Sequence, residues 1–402
     1  MVNYRQLSMA LALSTAGLVY GASPQGGQVS AKPDAIAVPA TRSGTYVVTP
    51  RFDNAGAFSE GLAAVQVGDK WGFIDRTGSL VIKPQFNPGQ AQYNAKFADG
   101  LAAVNFQPGG DGARWGFIDK RGAVVINPQF DGDYYTPPFF SEGRAAIKVG
   151  ARYGYIDKTG SFVIAPMFDE ARWFSEGLAV VKTGGKYGYV DRAGMVAIQP
   201  TFDSAGAFKD GLAVVTIGGR CGFINRTGVL AVKPQFELLD TVSDGLAQFA
   251  VSNPYHTDEK GQVAQDAPAP QDDGAWKYGY VDRTGRVVIA PQFELTLMNQ
   301  LGGSFVEGLA VVEFGTSATP TRRAQRGKFG FIDKAGRLAI NPQYDFASSF
   351  SDGLAVVEVD GKYGYIDHTG NMIIEAQFEQ ADSFSEGLAW VRLGTKFGFI
   401  RR

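Results

Sequence analysis

Two carboxylates and one base recur at fixed spacing along this 402-residue sequence, and they are the residues best suited to chemistry. One aspartate follows an aromatic-Gly-aromatic stretch, as in Asp191. A second acid precedes Gly-Leu-Ala, as in Glu176, and a Lys or Arg precedes the aromatic stretch, as in Lys186. Such groups could bind cations, or act as the acid and base of glycoside hydrolysis.

Neither chemistry suits a set of residues that is the same in every unit. Calcium takes about six to eight oxygen ligands, and one Asp followed by Arg or Lys supplies too few oxygens and a repelling charge. A hydrolytic pair needs two carboxyl groups in unequal environments, which identical units do not provide. We therefore interpret the first aspartate as a turn cap and the other charges as ion pairs between stacked units.

The other reactive residue types indicate no catalytic or metal site. Cys221 is the only cysteine, and it replaces an aromatic residue in a strand, so we expect a small buried side chain. Two histidines, His256 and His368, are too few for a zinc site, and no nucleophile motif or phosphate-binding loop stands in a suitable context. We predict no catalytic residue, no metal and no cofactor, and hence a protein that is not an enzyme.

These residues belong to a repeated unit whose shortest form is 34 residues, the spacing from Tyr153 to Tyr187 and from Tyr187 to Cys221. We predict three strands per unit: the GLA strand at 177–182, the GF strand at 186–191 and the Pro strand at 196–200. A Gly-containing turn joins the first two strands as a β-hairpin, and Asp-[Arg/Lys]-x-Gly forms the next turn.

Both faces of the GLA strand are apolar, with Leu178 and Val180 on one face and Ala179 and Val181 on the other. A strand of this kind must be covered on both faces, and one three-stranded unit cannot do this alone, so successive units must stack. We expect the glycine of the GF strand, as at Gly188, to admit the backbone of a neighbouring unit.

From Thr45 to the C-terminus the sequence passes nine times through a Pro strand, a GLA strand and a GF strand. The predicted fold class is all-β, a tandem repeat of about nine three-stranded antiparallel units. We favour an open, curved superhelical array, because propellers usually have about four to eight blades of four strands. A closed propeller-like ring is the alternative, in which the first strand completes the unit that the last strands begin.

The pattern K-[WY]-G-[FY]-[IV]-D-[KR]-T-G, followed by [VI]-x-P-x-F-[DE] and F-[SK]-[ED]-G-L-A-x-V, resembles the bacterial WG-containing repeat family. The resemblance covers roughly residues 45–402 and implies a β-repeat fold without a common enzymatic activity. Departures from the pattern are local, at Cys221, Asn225, Val242, Ala376 and Arg401.

Extra residues occur at only two places in the unit, after the Pro strand and between the GLA and GF strands. They lie at 87–96, 107–113, 132–139, 250–276, 294–306 and 313–327. Aromatic residues in such loops can contact a ligand, although drift in tolerant loops is the alternative. The candidate ligand-contact residues are Tyr93, Tyr134, Tyr135, Tyr255 and Trp276.

The N-terminus has the features of an export signal. Arg5 supplies a positive charge, residues 7–20 are largely apolar, and small residues follow at 21–23. We predict a signal peptide at 1–22, a flexible linker at 23–44 and the repeat domain at 45–402, in a periplasmic or extracellular protein. The apolar stretch is shorter than the about 20 residues of a spanning helix, so we expect no transmembrane span in the mature chain.

Charge indicates no nucleic-acid partner, because 38 basic and 40 acidic residues leave a formal net charge of -2. We predict an exported, non-catalytic repeat scaffold that binds a protein or a cell-envelope glycan. Two alternatives stay open: a structural, envelope-associated spacer without a discrete ligand and, least favoured, a carbohydrate-active enzyme.

Overall fold

The computed structural model describes residues 44–86, 96–105, 114–131, 137–251, 276–294, 303–315 and 327–402. Within these ranges every regular element is a β-strand, and no helix is long and apolar enough to cross a membrane. The predicted signal peptide, 1–22, and all but the last residue of the predicted linker, 23–44, lie outside the described residues.

The strands form small antiparallel sheets, most of them four-stranded, which we divide into blades numbered 1 to 9 along the chain. A single pairing, of Lys148 with Asp131, joins blades 2 and 3 into one seven-stranded sheet. A first strand, β1 (Thr45–Phe52), precedes blade 1. Blades 1 to 3 contain β2 (Asn54–Ala55), β3 (Leu62–Val67), β4 (Lys70–Asp75), β5 (Leu80–Phe86), β6 (Leu101–Asn105), β7 (Arg114–Asp119), β8 (Val124–Asp131), β9 (Phe140–Ser141), β10 (Arg144–Val149), β11 (Arg152–Ile156) and β12 (Phe162–Phe168). Blades 4 to 6 contain β13 (Glu170–Ser175), β14 (Leu178–Thr183), β15 (Lys186–Asp191), β16 (Val196–Phe202), β17 (Ser204–Ala205), β18 (Leu212–Ile217), β19 (Arg220–Asn225), β20 (Leu230–Phe236), β21 (Leu238–Leu239), β22 (Leu246–Val251), β23 (Lys277–Asp282) and β24 (Val287–Glu294). Blades 7 to 9 contain β25 (Leu309–Phe314), β26 (Lys328–Asp333), β27 (Leu338–Tyr344), β28 (Phe346–Ala347), β29 (Ala355–Val359), β30 (Lys362–Ile366), β31 (Met372–Phe378), β32 (Gln380–Ala381), β33 (Leu388–Leu393) and β34 (Lys396–Arg401).

Blade 5 shows the plan of the unit, with strand order β17-β18-β19-β20. The GLA strand β18 pairs with the GF strand β19 without interruption, from Leu212 opposite Asn225 to Ile217 opposite Arg220. The Pro strand β20 pairs with the other side of β19. These three are the strands that the sequence predicts, and the all-β repeat is confirmed. A two-residue short strand, β17, adds a fourth that sequence reasoning missed.

Where a short strand is described, it forms one edge of the blade and the Pro strand forms the opposite edge. The short segments of neighbouring blades bond directly to one another, since Ser141 Oγ donates to the Phe174 carbonyl at 2.7 Å and Ser175 Oγ to the Phe208 carbonyl at 2.6 Å. The Pro strands instead expose many residues, as in Leu230–Phe236. The short strands therefore lie at the inner edge of the array and the Pro strands at the outer edge.

The hydrophobic core lies between blades. One cluster packs Leu178, Val180 and Tyr189 of blade 4 against Phe208 and Val215 of blade 5. A separate cluster on the other side of blade 4 includes Ala179 and Val181. The two faces of the GLA strand are thus buried against different neighbours, which confirms that the units stack.

The first strand joins the last blade. β1 pairs with β34, so blade 9 has the order β32-β33-β34-β1. Val48 and Phe52 of β1 and Phe399 of β34 share one core cluster with Val65 and Ile74 of blade 1. Ser385 Oγ also donates to the Phe58 carbonyl at 2.8 Å, which repeats the bond between other neighbouring blades.

These contacts correct the arrangement that we placed first. An open array would leave the last blade without the first as a neighbour, whereas here blades 9 and 1 are joined like any adjacent pair. The described blades therefore form a closed ring, our second choice. Closure is favoured because it covers the two apolar faces that an open array would leave at its ends.

The glycine of the GF strand has a different neighbour from the one expected. A Cβ at Gly188 would stand 2.6 Å from both the Ile198 oxygen and the Pro200 nitrogen, which belong to the Pro strand of the same blade. The pairing of β15 with β16 is irregular at this point, between the pairs Tyr187–Phe202 and Tyr189–Ile198. This irregularity brings the strand backbone over the glycine, a packing that is intrinsic to one unit.

Ring closure predicts the cost of removing a β1 side chain. Phe52 in β1 and Phe202 at the same position of blade 4 are both buried, with 3% and 5% of their surface exposed. We expect Phe52→Ala and Phe202→Ala to destabilise the protein similarly, by about 3 to 5 kcal/mol each, because both delete a core aromatic between blades. Denaturant unfolding measures the two losses. A Phe52→Ala protein that unfolds like the unmutated chain, beside a destabilised Phe202→Ala protein, would contradict the closed ring.

Candidate functional site

The acid before each Gly-Leu-Ala joins neighbouring blades. Glu176 has φ 52 and Gly177 has φ 81, so both central residues of this tight turn are left-handed. This conformation costs a residue other than glycine about 1 kcal/mol or more, but it aims the carboxylate at the next blade. Glu176 Oε2 there accepts the Gly211 N–H at 3.0 Å. The same bond links Glu60 to Gly100, Asp99 to Gly143, Glu142 to Gly177, Asp244 to Gly308, Glu307 to Gly353, Asp352 to Gly387 and Glu386 to Gly61.

A base from the next blade completes several of these contacts. Arg192 of blade 4 lies 2.5 Å from Glu142 Oε2 of blade 3. Equivalent pairs are Arg76–Glu386, Lys120–Glu60, Lys334–Asp244 and His368–Glu307. The predicted ion pairs between units are confirmed, although the base is the one that follows the turn-capping residue. We call this set of contacts the turn-face clasp, since it lies at the strand ends that carry the acid-Gly and Asp-x-x-Gly turns.

The base before each aromatic stretch contributes to a second contact at the opposite strand ends, where the GLA–GF hairpin turns lie. Lys186 Nζ of blade 4 donates to Asp203 Oδ1 at 2.5 Å, and Asp203 Oδ2 accepts the Gly218 N–H of blade 5 at 2.7 Å. We call this arrangement the hairpin-face clasp. It recurs at Asp53, Asp131, Asp169, Asp345 and Glu379. The Lys186 bond, followed by the Gly218 bond, lowers the pKa of Asp203 from its ordinary value.

The aspartate at the end of each GF strand caps a turn, as the sequence predicts. Asp191 Oδ1 accepts the N–H groups of Ala193 and Met195, both at 2.9 Å. At Asp75 the Thr77 hydroxyl also donates, and this bond is the largest cause of a lowered pKa. Among the described residues no group of three or more His, Cys, Asp or Glu is placed to hold a metal ion. The repeated charges act within the turns and between the blades.

The structure describes one of the five predicted ligand-contact residues. Tyr93, Tyr134, Tyr135 and Tyr255 lie outside the described residues. Trp276 is described, and it is partly buried against the cluster that contains Leu246 and Tyr278. A role for these residues in binding stays a prediction.

The two other reactive side chains that the structure describes have structural surroundings. Cys221 is buried, as predicted, with its Sγ 3.5 Å from Thr216 Oγ1. His368 stacks on Phe350, with ring centroids 4.1 Å apart, and its Nε2 lies 3.1 Å from Glu307. It therefore takes the place of the Arg or Lys in the turn-face clasp.

Departures from the regular unit begin at one face of the ring. Three of the inserted segments follow the GLA strands that end at Asn105, Val251 and Phe314. Three others follow Pro strands, after Phe86, Asp131 and Glu294. The ends of the Pro strands pair with the start of the GF strands, as in Arg114 opposite Asp131, so they lie at the hairpin ends as well. We call this side of the ring the hairpin face.

Sequence reasoning missed one group of residues at the inner edge. Trp173 has 45% of its surface exposed and contacts Phe139, with ring centroids 5.6 Å apart. A signal was present, because both residues directly precede the buried Phe of the repeat, where most units have Ala, Ser or Thr.

Comparison with known proteins agrees with this architecture. A family model described as "WG containing repeat" matches residues 41–71, 71–87, 115–152, 153–187, 187–221, 222–253, 278–315, 329–363 and 363–397. The chain belongs to the WG-containing repeat family. No curated protein sequence matches the chain.

Several solved structures are similar at low identity. A eukaryotic initiation factor is 11% identical with a TM-score of 0.49, covering 84% of this chain and 88% of its own. Hsv2p of Kluyveromyces lactis is 9% identical with a TM-score of 0.33, covering 63% and 88%. PorZ of Porphyromonas gingivalis is 8% identical with a TM-score of 0.28, covering 87% and 57%. At these TM-scores the likeness carries no argument about function.

The hairpin-face clasp predicts a loss of stability in acid. The pKa values of Asp53 and Asp203 are lowered from the ordinary value of 3.8, first by their lysine partners and then by glycine N–H groups. Their charged forms therefore stabilise the fold above that pH, and this stabilisation is lost as the pH falls through the lowered pKa values. We expect Tm to fall below about pH 4, as measured by thermal unfolding between about pH 7 and about pH 3.

Two substitutions distinguish the contribution of the hairpin-face clasp from the general loss of stability in acid. Asp203→Asn removes one titrating group, so it is expected to lower Tm at neutral pH and to reduce the further fall in acid. Asp69→Asn is the control, because the Asp69 side chain is 85% exposed and lies outside the hairpin-face clasp. Equal pH profiles for both variants and the unmutated chain would refute a contribution from Asp203.

Proposed function

We propose that this WG-repeat protein is an exported, non-catalytic scaffold that binds a protein or a cell-envelope glycan through its hairpin face. The observation that carries the proposal is that the residues in excess of the regular 34-residue unit follow strands that end at the hairpin face. A ring whose other residues repeat regularly, with variation at one face, is the arrangement of a rigid frame that presents recognition segments. The clasps support the frame, because they engage the repeated acids and bases in structural contacts.

The position of the inserted segments around the ring adds to this proposal. One group starts in blades 1 and 2, and the other in blades 6 and 7. In a closed ring of nine blades, blade 2 is four blades from blade 6 in one direction and four from blade 7 in the other. The two groups therefore start at opposite sides of the ring, an arrangement suited to holding an extended partner across the hairpin face.

A structural spacer is the second candidate, favoured by the recurrence of both clasps in most blades of the ring. A spacer would use the same contacts without a discrete ligand. A carbohydrate-active enzyme has no observation in its favour among the described residues, because their carboxylates repeat from blade to blade.

The N-terminal residues support the proposed export. Fractionation of cells tests it. We expect the protein in the periplasm or the medium, with a mature N-terminus near residue 23, because small residues follow the apolar stretch. N-terminal sequencing of the recovered protein gives the cleavage point. A protein that stays in the cytoplasm with residue 1 intact would refute export.

Binding at the hairpin face predicts that regularising one hairpin changes the captured partners. Blade 5 closes its hairpin with Gly218 and Gly219, so replacing residues 252–275 by Gly-Gly gives blade 6 the regular form. We expect this variant to capture less of at least one envelope component than the unmutated chain does, because a contact segment is lost. Pull-down from envelope extracts, with protein and glycan detection, measures the difference.

A matched control replaces 106–113 of blade 2 by Gly-Gly and tests the opposite side of the ring. Thermal unfolding of both variants shows whether the ring is intact. If both folded variants and the unmutated chain capture the same components in the same amounts, or none captures any, the spacer is the better hypothesis.

A further inference from the structure

The residue that directly precedes the buried Phe of each blade lies at the inner edge of the ring, next to the short strand. In six blades this residue is small or carries a hydroxyl group, and in three consecutive blades it is not. In chain order the residues are Ala57, Lys96, Phe139, Trp173, Ala207, Thr241, Ser304, Ser349 and Ser383. Blades 2, 3 and 4 thus give one sector of the inner edge a cation and two aromatic rings.

The three side chains are in contact. The Lys96 Nζ lies 5.9 Å from the centroid of the Phe139 ring, a cation–π distance. The Phe139 and Trp173 rings are 5.6 Å apart and inclined by 40°. Trp173 keeps 45% of its surface exposed, although most core aromatics of the repeat are buried. Trp173 therefore exposes a large apolar ring at the inner edge, where most other blades have a small residue.

Blade 4 also departs from the other blades in its inner strand, since β13 (Glu170–Ser175) has six residues and the other described inner strands have two. In the pairing of β13 with β14, Ala171 stands opposite Val181 and Phe174 opposite Ala179. Arg172 and Trp173 therefore both face Val180 alone, which is a β-bulge. Bulges re-aim side chains and are common beside functional sites.

Arg172 adds a second cation beside the tryptophan. Its Nη1 donates to the Ala205 carbonyl at 3.2 Å, and its guanidinium lies 5.9 Å from the Tyr187 ring. The neighbouring carboxylate of Glu170 is already bonded, by Lys182 Nζ at 2.6 Å and by the Tyr187 hydroxyl at 2.8 Å. Among the described residues no carboxylate forms an ion pair with Arg172 or Lys96, so this sector has an excess of positive charge.

We propose that Lys96, Phe139, Arg172 and Trp173 form a binding platform for an acidic glycan at the inner edge of the ring. This inference rests on the part of the proposed function that names a cell-envelope glycan, and it adds a second binding surface at the inner edge, apart from the hairpin face. The flat aromatic faces match the apolar face of a pyranose ring, and the two cations match carboxylate groups on the sugar. Each blade contributes one residue at this inner-edge position, so consecutive sugar units of a glycan can contact consecutive blades.

Two other anionic partners fit the platform less well. Nucleic acid needs a groove of many basic residues along its phosphates, and this sector offers two cations in a chain of net charge -2. An acidic peptide would gain most of its affinity by adding a strand to a free sheet edge. The inner edge strand of blade 3 has only two residues, Phe140–Ser141, and the edge of blade 4 is bulged, so this mode is not available.

Calorimetric titration with tetragalacturonate tests the platform. We expect the full chain to bind this acidic sugar and to bind neutral cellotetraose much more weakly, because only the former pairs with the cations. Trp173→Ala should weaken binding roughly tenfold, the effect of losing one stacking face. Trp173→Phe should recover most of the affinity, and Lys96→Gln should reduce both affinity and its dependence on salt.

Met195→Ala is the matched control, since Met195 is an exposed apolar residue on the outer edge, with 67% of its surface accessible. It should bind tetragalacturonate like the unmutated chain, and an unchanged Tm should show that each variant folds. The inference is overturned if the full chain does not bind tetragalacturonate at millimolar concentration, if Trp173→Ala binds it equally well, or if hexaglutamate binds more tightly at the same residues. Capture of envelope components that persists in the Trp173→Ala chain would then leave the scaffold function standing without this platform.

Discussion

The need to cover two apolar faces on every small sheet governs this structure. A blade of three long strands and one short strand has no helix or second layer of its own, so each face must be buried by another blade. In blade 4, Val180 and Val181 are adjacent in sequence and belong to two different core clusters. A linear stack would leave one bare face at each end. Pairing of β1 with β34 removes both bare faces at once, and the ring is the result.

Polar contacts fix the spacing and order of blades that apolar burial alone would leave loose. Each turn-face clasp places a carboxylate from a left-handed residue on the N–H of the next blade, and each hairpin-face clasp ties a Lys or Arg of one blade to a turn of the next. Individually such exposed ion pairs contribute about 0 to 1 kcal/mol. They fix the relative position of neighbouring blades, because a hydrogen bond to a backbone N–H forms at one position only. Hydrophobic contacts alone would let one blade slide along another.

Regularity at the clasps limits where a function can reside. A site that recognises one ligand needs an arrangement that occurs once, and the clasps repeat around the ring. The features that are not repeated are those at which blades differ. They are the inserted segments that start at the hairpin face, and the aromatic and basic sector at the inner edge of blades 2 to 4. Both are carried by a frame whose rigidity comes from the repeated contacts, so a binding surface there would be preorganised.

The sequence by itself determined the unit and its repetition. The apolar run Leu178–Val181 and the Asp191 turn are local features, and local features specify strands, hairpins and turn caps without knowledge of the rest of the chain. The 34-residue period then shows that the unit repeats. The repeat also indicated that units stack and that charges pair between them. It did not show that the irregular pairing of β15 with β16 places Gly188 against its own Pro strand.

Only the tertiary structure decided whether the array closes and which residues meet at the inner edge. Closure depends on the small rotation between neighbouring blades, which accumulates over nine units and is set by side-chain packing that no single unit encodes. The pairing of Thr45–Phe52 with Lys396–Arg401 joins residues at opposite ends of the chain, and sequence spacing cannot predict such a contact. Lys96, Phe139 and Trp173 likewise lie far apart in sequence, and they become neighbours because consecutive blades place equivalent residues side by side.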